Sequence, residues 1–183
     1  MVSIDTLVAV HHPVRRRIVD RLVLDGPAQV GTLARELDEQ IGSISHHLRI
    51  LERVEVVVRA PELSTDGRTS WWRASTTSFS WAVDDFADRP ADQHRARVAD
   101  RLNAERHFTK LADWKRREAA APEAWRRAAY STDSLGRATA VELEELMRRL
   151  VRTVAEWKAD IDLDDGQERE PVFMFSHGFP SRP

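Results

Sequence analysis

The stretch Ile41-Gly42-Ser43-Ile44-Ser45-His46-His47-Leu48-Arg49-Ile50-Leu51-Glu52-Arg53 decides how the chain is read. Ile41, Ile44, Leu48 and Leu51 recur at intervals of three and four, the period of a helix with one apolar side. The polar residues fall between them. The spacing predicts a helix over 41–53, mounted through Ile44, Leu48 and Leu51.

Upstream, Val30, Leu33, Ala34 and Leu37 predict a helix of about two turns, and Asp38-Glu39-Gln40 is the polar break before residue 41. Pro13 opens a further helix carrying Ile18, Val19, Leu22 and Val23, because proline is tolerated in a first turn; Asp25-Gly26-Pro27 stops it. Two short helices joined by so brief a turn form a helix-turn-helix. Downstream the period changes. Val54-Glu55-Val56-Val57-Val58-Arg59 predicts a strand, Ser64-Thr65-Asp66-Gly67 a tight reversal, and Thr69-Ser70-Trp71-Trp72-Arg73-Ala74 the returning strand. Three helices followed by a hairpin is the order of a winged helix. Residues 75–81 read as one more short strand or the start of a linker.

Ser45-His46-His47-Leu48-Arg49-Ile50-Leu51 resembles the recognition-helix core of the ArsR-type winged helix-turn-helix regulators. His12-Pro13-Val14-Arg15-Arg16-Arg17-Ile18 is similar to that family's opening helix, Leu33-Ala34-Arg35-Glu36-Leu37 to its first turn helix, and Asp66-Gly67-Arg68 to its wing tip. The resemblance covers about residues 8–75. It departs from the family in two places. Glu39 stands where an apolar residue usually packs the turn, a role Ile41 is expected to assume. Glu55-Val56 stands where the family has Gly-Leu, so the corner into the wing is expected to differ.

The resemblance implies a sequence-specific DNA-binding transcriptional regulator, a homodimeric repressor reading a pseudo-palindromic operator. Helix 41–53 would lie in the major groove and the 60–70 wing on the flanking groove. Residues near the start of a recognition helix reach base edges, which makes Gln40, Gly42, Ser43 and His46 the candidate readers. Ser45 and Arg49 are better placed for phosphate, and Arg68 for phosphate or minor groove. His47 falls on the packed side, where a structural role is expected.

The 183 residues suffice for two small domains, read here as 1–80, the DNA-binding part, and 81–183, a helical dimerisation and effector lobe. The fold expected is mainly α with a small β-hairpin wing. Acids and bases balance over the first eighty residues and the whole chain carries −2, which counts against a nucleic-acid partner. Without cysteine, disulfides and thiolate metal sites are excluded. No apolar run approaches the roughly 20 residues of a membrane span, and Met1-Val-Ser-Ile-Asp does not read as a signal peptide, so a cytoplasmic protein is expected.

In the second lobe, Pro90 opens a long helix to about Ala119, followed by a short helix around Trp125. Thr139 and Glu142 have the spacing of a capping box. Beyond them Leu143, Met147, Leu150, Val154 and Trp157 form a narrow apolar seam, widened by Leu146 and Val151, that reads as a core or subunit contact; Glu145 and Arg149 are set for an i, i+4 pair. Pro171-Val-Phe-Met-Phe-Ser-His177 predicts a late strand. Trp114, Trp125, Tyr130 and Trp157 serve as core or, alternatively, line a pocket for a small-molecule effector.

No two histidines have the i, i+3 or i+4 spacing that shares one ion on a helix, so no metal and no cofactor is expected; only a site across a dimer, using His94, His107 or His177, stays open. No phosphate loop, nucleophile elbow or carboxylate pair points to an enzyme. Two rivals remain: a winged-helix protein-interaction module, suggested by Glu39 and Glu55 beside the recognition helix, and a small-molecule-binding protein without specific DNA binding.

Overall fold

The computed structural model describes residues 2–64, 70–75 and 81–181. The fold is mainly helical with one three-stranded antiparallel sheet, in a winged helix-turn-helix layout. Helix α1 (Ile4–Val10) precedes α2 (Pro13–Leu24), then β1 (Ala28–Gln29), α3 (Val30–Glu36), α4 (Ile41–Arg53), β2 (Val57–Arg59) and β3 (Trp71–Ala74). The second half holds α5 (Pro90–Arg117), α6 (Glu123–Ala128) and α7 (Ala140–Ala159). No helix among the described residues is long and apolar enough to cross a membrane.

The expected period is realised in the core. Ile18, Leu33, Ile44, Leu48, Leu51 and Val57 are wholly buried, so one face each of α2, α3 and α4 meets the sheet. Central strand β3 pairs with β2 through Val57–Ala74 and with β1 through Ala28–Trp72. Neither β1 nor α1 was legible in the sequence. Two residues are too few for an alternating pattern, and α1 owes its start to a local cap, the Ser3 side chain accepting from Thr6 N at 3.1 Å.

Helices α3 and α4 end alike. Glu39 N donates to Ala34 O at 2.9 Å after Asp38 at φ 53°, and Val56 N donates to Leu51 O at 3.0 Å after Glu55 at φ 58°. Both are Schellman closures, in which one left-handed residue lets the next N–H reach back to an orphan carbonyl. Strand β2 accordingly starts at Val57, later than Val54 as expected. The corner expected to differ at Glu55-Val56 keeps the glycine-type turn, with Glu55 carrying the strain and Val56 buried. Glu55→Gly should raise stability by about 1 kcal/mol, the αL penalty less the added unfolded-state entropy; a urea midpoint that is unchanged or lower would refute it.

Two compact units divide the chain, residues 1–109 and 110–183, so the first extends beyond the expected boundary at 80. The reason is a second apolar cluster, in which Phe86, Ala96 and Ala99 pack with Ile4 and Leu7. Ion pairs reinforce it: Arg95–Asp5 at 2.7 Å and Arg106–Asp20 at 2.6 Å. In the second unit α7 begins with the expected capping box of Thr139 and Glu142, and Glu145 pairs with Arg149 at 2.9 Å. No described residue of this unit is buried, and Leu146, Met147, Leu150, Val151 and Trp157 stand open along α7. The strand expected over 171–177 is not formed. A strand needs a paired neighbour, and the described residues of this unit contain none.

Candidate nucleic-acid interface

Helix α4 has the bounds its sequence predicts, and its two faces separate sharply. Ile44, Leu48 and Leu51 are its mount. Gly42, His46, Arg49 and Arg53 are exposed at spacings of four, three and four, one continuous stripe; Ser43 and Ser45 flank it half-buried. Gln40 occupies the N-cap with extended backbone but makes no side-chain capping bond, leaving its amide available at the helix start. A Cβ on Gly42 would meet nothing within 4 Å, so neither packing nor backbone conformation requires a glycine there.

Ile41 does not pack the turn as expected. It is 62% exposed, because the turn is closed by other means: Leu37 is buried, Arg17 donates to Leu37 O, and Arg17 also pairs with Glu39 at 3.3 Å. The exposed Ile41 thus belongs to the outward surface, beside Gln40.

The balance of acids and bases does not survive into the local electrostatics. Glu36 pairs with Arg21 at 2.6 Å, Glu39 with Arg17, and Glu52 with Arg59 at 3.0 Å. Glu36, Glu39 and Glu52 are thereby matched by arginines of α2 and β2, whereas the exposed Asp38 and Glu55 at the two ends of α4 make no ion pair among the described residues. Among the described residues no carboxylate pairs with Arg35, Arg49 or Arg53, which stand exposed on α3 and α4. Sequence reasoning missed Arg53 and Arg35; the continuation of the Gly42, His46, Arg49 stripe by four residues was the available signal for Arg53.

His47 is half-buried, its ring against His12 with centroids 5.0 Å apart and its Nδ1 without a partner, which suits a packing residue. Burial first, then Arg15 and His46, depresses its pKa and keeps the imidazole neutral at neutral pH. Arg68 and the Asp66-Gly67 reversal lie outside the described residues. The stem of the wing is described: Ala60 N donates to Trp71 O at 2.9 Å, Arg73 pairs with Glu62 at 2.6 Å, and the Arg59 guanidinium lies 4.9 Å from the Trp72 ring.

Of the aromatic residues proposed for an effector pocket, Trp114 and Trp125 are half-buried, whereas Tyr130 and Trp157 are exposed. No cluster of three or more His, Asp or Glu side chains suited to a metal ion occurs among the described residues.

The chain is similar in structure to an apo double mutant of Lactococcus lactis ZitR, with 13% identity, 81% of this chain and 83% of that one covered, and a TM-score of 0.37. No curated protein matches the chain significantly. A family model described as a helix-turn-helix domain matches residues 10–60, the segment that holds α2, α3 and α4, and this part of the chain is a helix-turn-helix domain.

Proposed function

We propose that the chain is a cytoplasmic, sequence-specific DNA-binding transcriptional regulator of the ArsR type, acting as a homodimeric repressor on a pseudo-palindromic operator. The observation that carries this reading is the exposed stripe of α4, whose arginines are left without carboxylates while Glu36, Glu39 and Glu52 are matched elsewhere. A helix so mounted enters a major groove with Gln40, Gly42, Ser43 and His46 toward base edges. Ser45, Arg49 and Arg53 then face phosphates, with Arg68 on the flanking groove. Dimerisation is supported by the open apolar seam of α7 in a unit whose described residues include none that is buried, since a unit of this kind gains stability by covering its seam with a partner.

Selection from a random DNA pool should return a two-fold symmetric sequence. Three or four cations per protomer correspond to about 6–8 phosphates per dimer, so log K should fall against log salt with a slope of about −5 to −7. Arg49→Ala should flatten that slope by about 2, one contact per half-site. Affinity that is indifferent to salt and to sequence would instead assign the stripe to a protein partner.

A further inference from the structure

Glu144, Val151 and Lys158 recur at one heptad interval down one edge of the apolar seam of α7. The seam between them is Met147, Leu150, Val154 and Trp157, all exposed or half-buried. Its first turn is covered within the chain, since a Cβ on Gly178 would lie 2.9 Å from Leu143 Cδ1. The open stretch therefore runs from Leu146 to Trp157. Two acids near the start of α7 are matched on the helix itself: Glu142 completes the capping box, and Glu145 takes Arg148 at 3.4 Å and Arg149 at 2.9 Å. Glu144 and Lys158 differ from them. Both are exposed, both lack an ion pair among the described residues, and about four turns of helix keep them from meeting in one chain.

A two-fold axis crossing the seam midway between Leu150 and Val154 brings these charges together. It sets Glu144 beside the partner's Lys158, Lys158 beside the partner's Glu144, and Val151 beside its own copy. The core layers follow from the same axis. Met147 meets the partner's Trp157 and Leu150 the partner's Val154, a larger side chain against a smaller one each time. The other edge, Leu146, Thr153 and Asp160, brings no like charges together. Parallel pairing gives none of this. It would force both Trp157 rings into one layer, and would leave Lys158 beside the partner's Thr153 and Glu144 beside the partner's Thr139.

We propose that α7 pairs with α7 of a second copy of this chain as an antiparallel coiled coil, its orientation and register set by the Glu144–Lys158 pairs on one edge. Charge complementarity and the match of side-chain sizes both select this arrangement. The proposal rests on the homodimer reading above and is independent of DNA binding.

Sedimentation of the full chain before and after charge exchange is the test. The parent chain should form a dimer with a Kd of about 10 μM or tighter. Glu144→Lys replaces two opposite-charge pairs with two like-charge pairs and should weaken the dimer about tenfold. Adding Lys158→Glu should recover most of that loss, because antiparallel copies then match again with the signs reversed. The chain has no cysteine, so single cysteines report the geometry without interference. Val151→Cys should be joined to its own copy by a short bis-maleimide. Met147→Cys should form no intermolecular disulfide, because the axis holds the two copies about 15 Å apart along the helices. A dimer in which the double exchange is no tighter than Glu144→Lys, or in which Met147→Cys does form the disulfide, overturns the antiparallel pair and leaves the homodimer reading standing. A chain that stays monomeric at about 100 μM overturns both.

Discussion

Gly42→Glu is expected to make the chain more stable and, if the proposed function holds, to remove its binding to DNA. Gly42 lies in the first turn of α4 with ordinary helical backbone, and a Cβ there meets open space. A glycine at such a position costs about 1 kcal/mol against a good helix former. An acid in the first turn adds about 0.3–1 kcal/mol through the helix dipole. The fold should therefore gain about 1–1.5 kcal/mol. On DNA the same carboxylate would stand at the closest approach of the helix to the groove, where like charges cost several kcal/mol. A loss of affinity of about 100-fold or more corresponds to roughly 3 kcal/mol. Gly42→Ala separates the two causes: it should recover most of the stability gain, and any lost affinity then reports how closely the backbone must approach. A more stable Gly42→Glu variant with undiminished, salt-sensitive DNA binding would place the groove elsewhere on the protein.

The opposed signs explain why a glycine is informative there and charge totals are not. A sequence sum cannot tell an acid that opposes DNA from one that is matched behind the helix. Glu36, Glu39 and Glu52 belong to the second kind, because residues far apart in the chain, Arg21, Arg17 and Arg59, are brought against them by the packing of α2 and β2. The pattern of α4 was legible because it is local: three apolar positions per two turns fix the buried face, and the stripe opposite follows. Glu55 was read as a departure at the wing corner. Its turn survives because the Schellman bonds to Leu51 and Glu52 hold a backbone conformation that the side chain disfavours. The long-range features stayed hidden. The extension of the first unit to residue 109 depends on Phe86, Ala96 and Ala99 meeting Ile4 and Leu7. No periodicity within α5 announces which neighbour its alanines will find, and residues 171–177 show that a β-rich composition without a partner strand makes no sheet.

Stability should fall as pH drops from about 6.5 to about 4, chiefly through His11. Its pKa is lowered from 6.5 to about 4, first by burial, then by Arg16, Arg106 and His107. The folded state thus holds a neutral imidazole at a pH where the unfolded chain already binds a proton. Protons therefore favour unfolding throughout this window, and the stability present above the unfolded value of 6.5 is lost as pH falls through the folded value. A difference of that size amounts to about 3 kcal/mol, a large part of the 5–15 kcal/mol typical of a folded domain. His12 and His47 are lowered as well and act in the same direction. Carboxylates held low by partners, such as Glu36 beside Arg21, give up their contribution at more acid pH, so the interval between pH 6.5 and 5 belongs to the histidines. His11→Phe keeps a ring against Trp81, 4.6 Å away, and removes the titrating group. Urea midpoints taken across the interval should slope steeply in the parent chain and much less in this variant. Parallel curves would mean that His11 is protonated in the folded state as readily as in the unfolded one, and that the field of Arg16, Arg106 and His107 is screened by solvent.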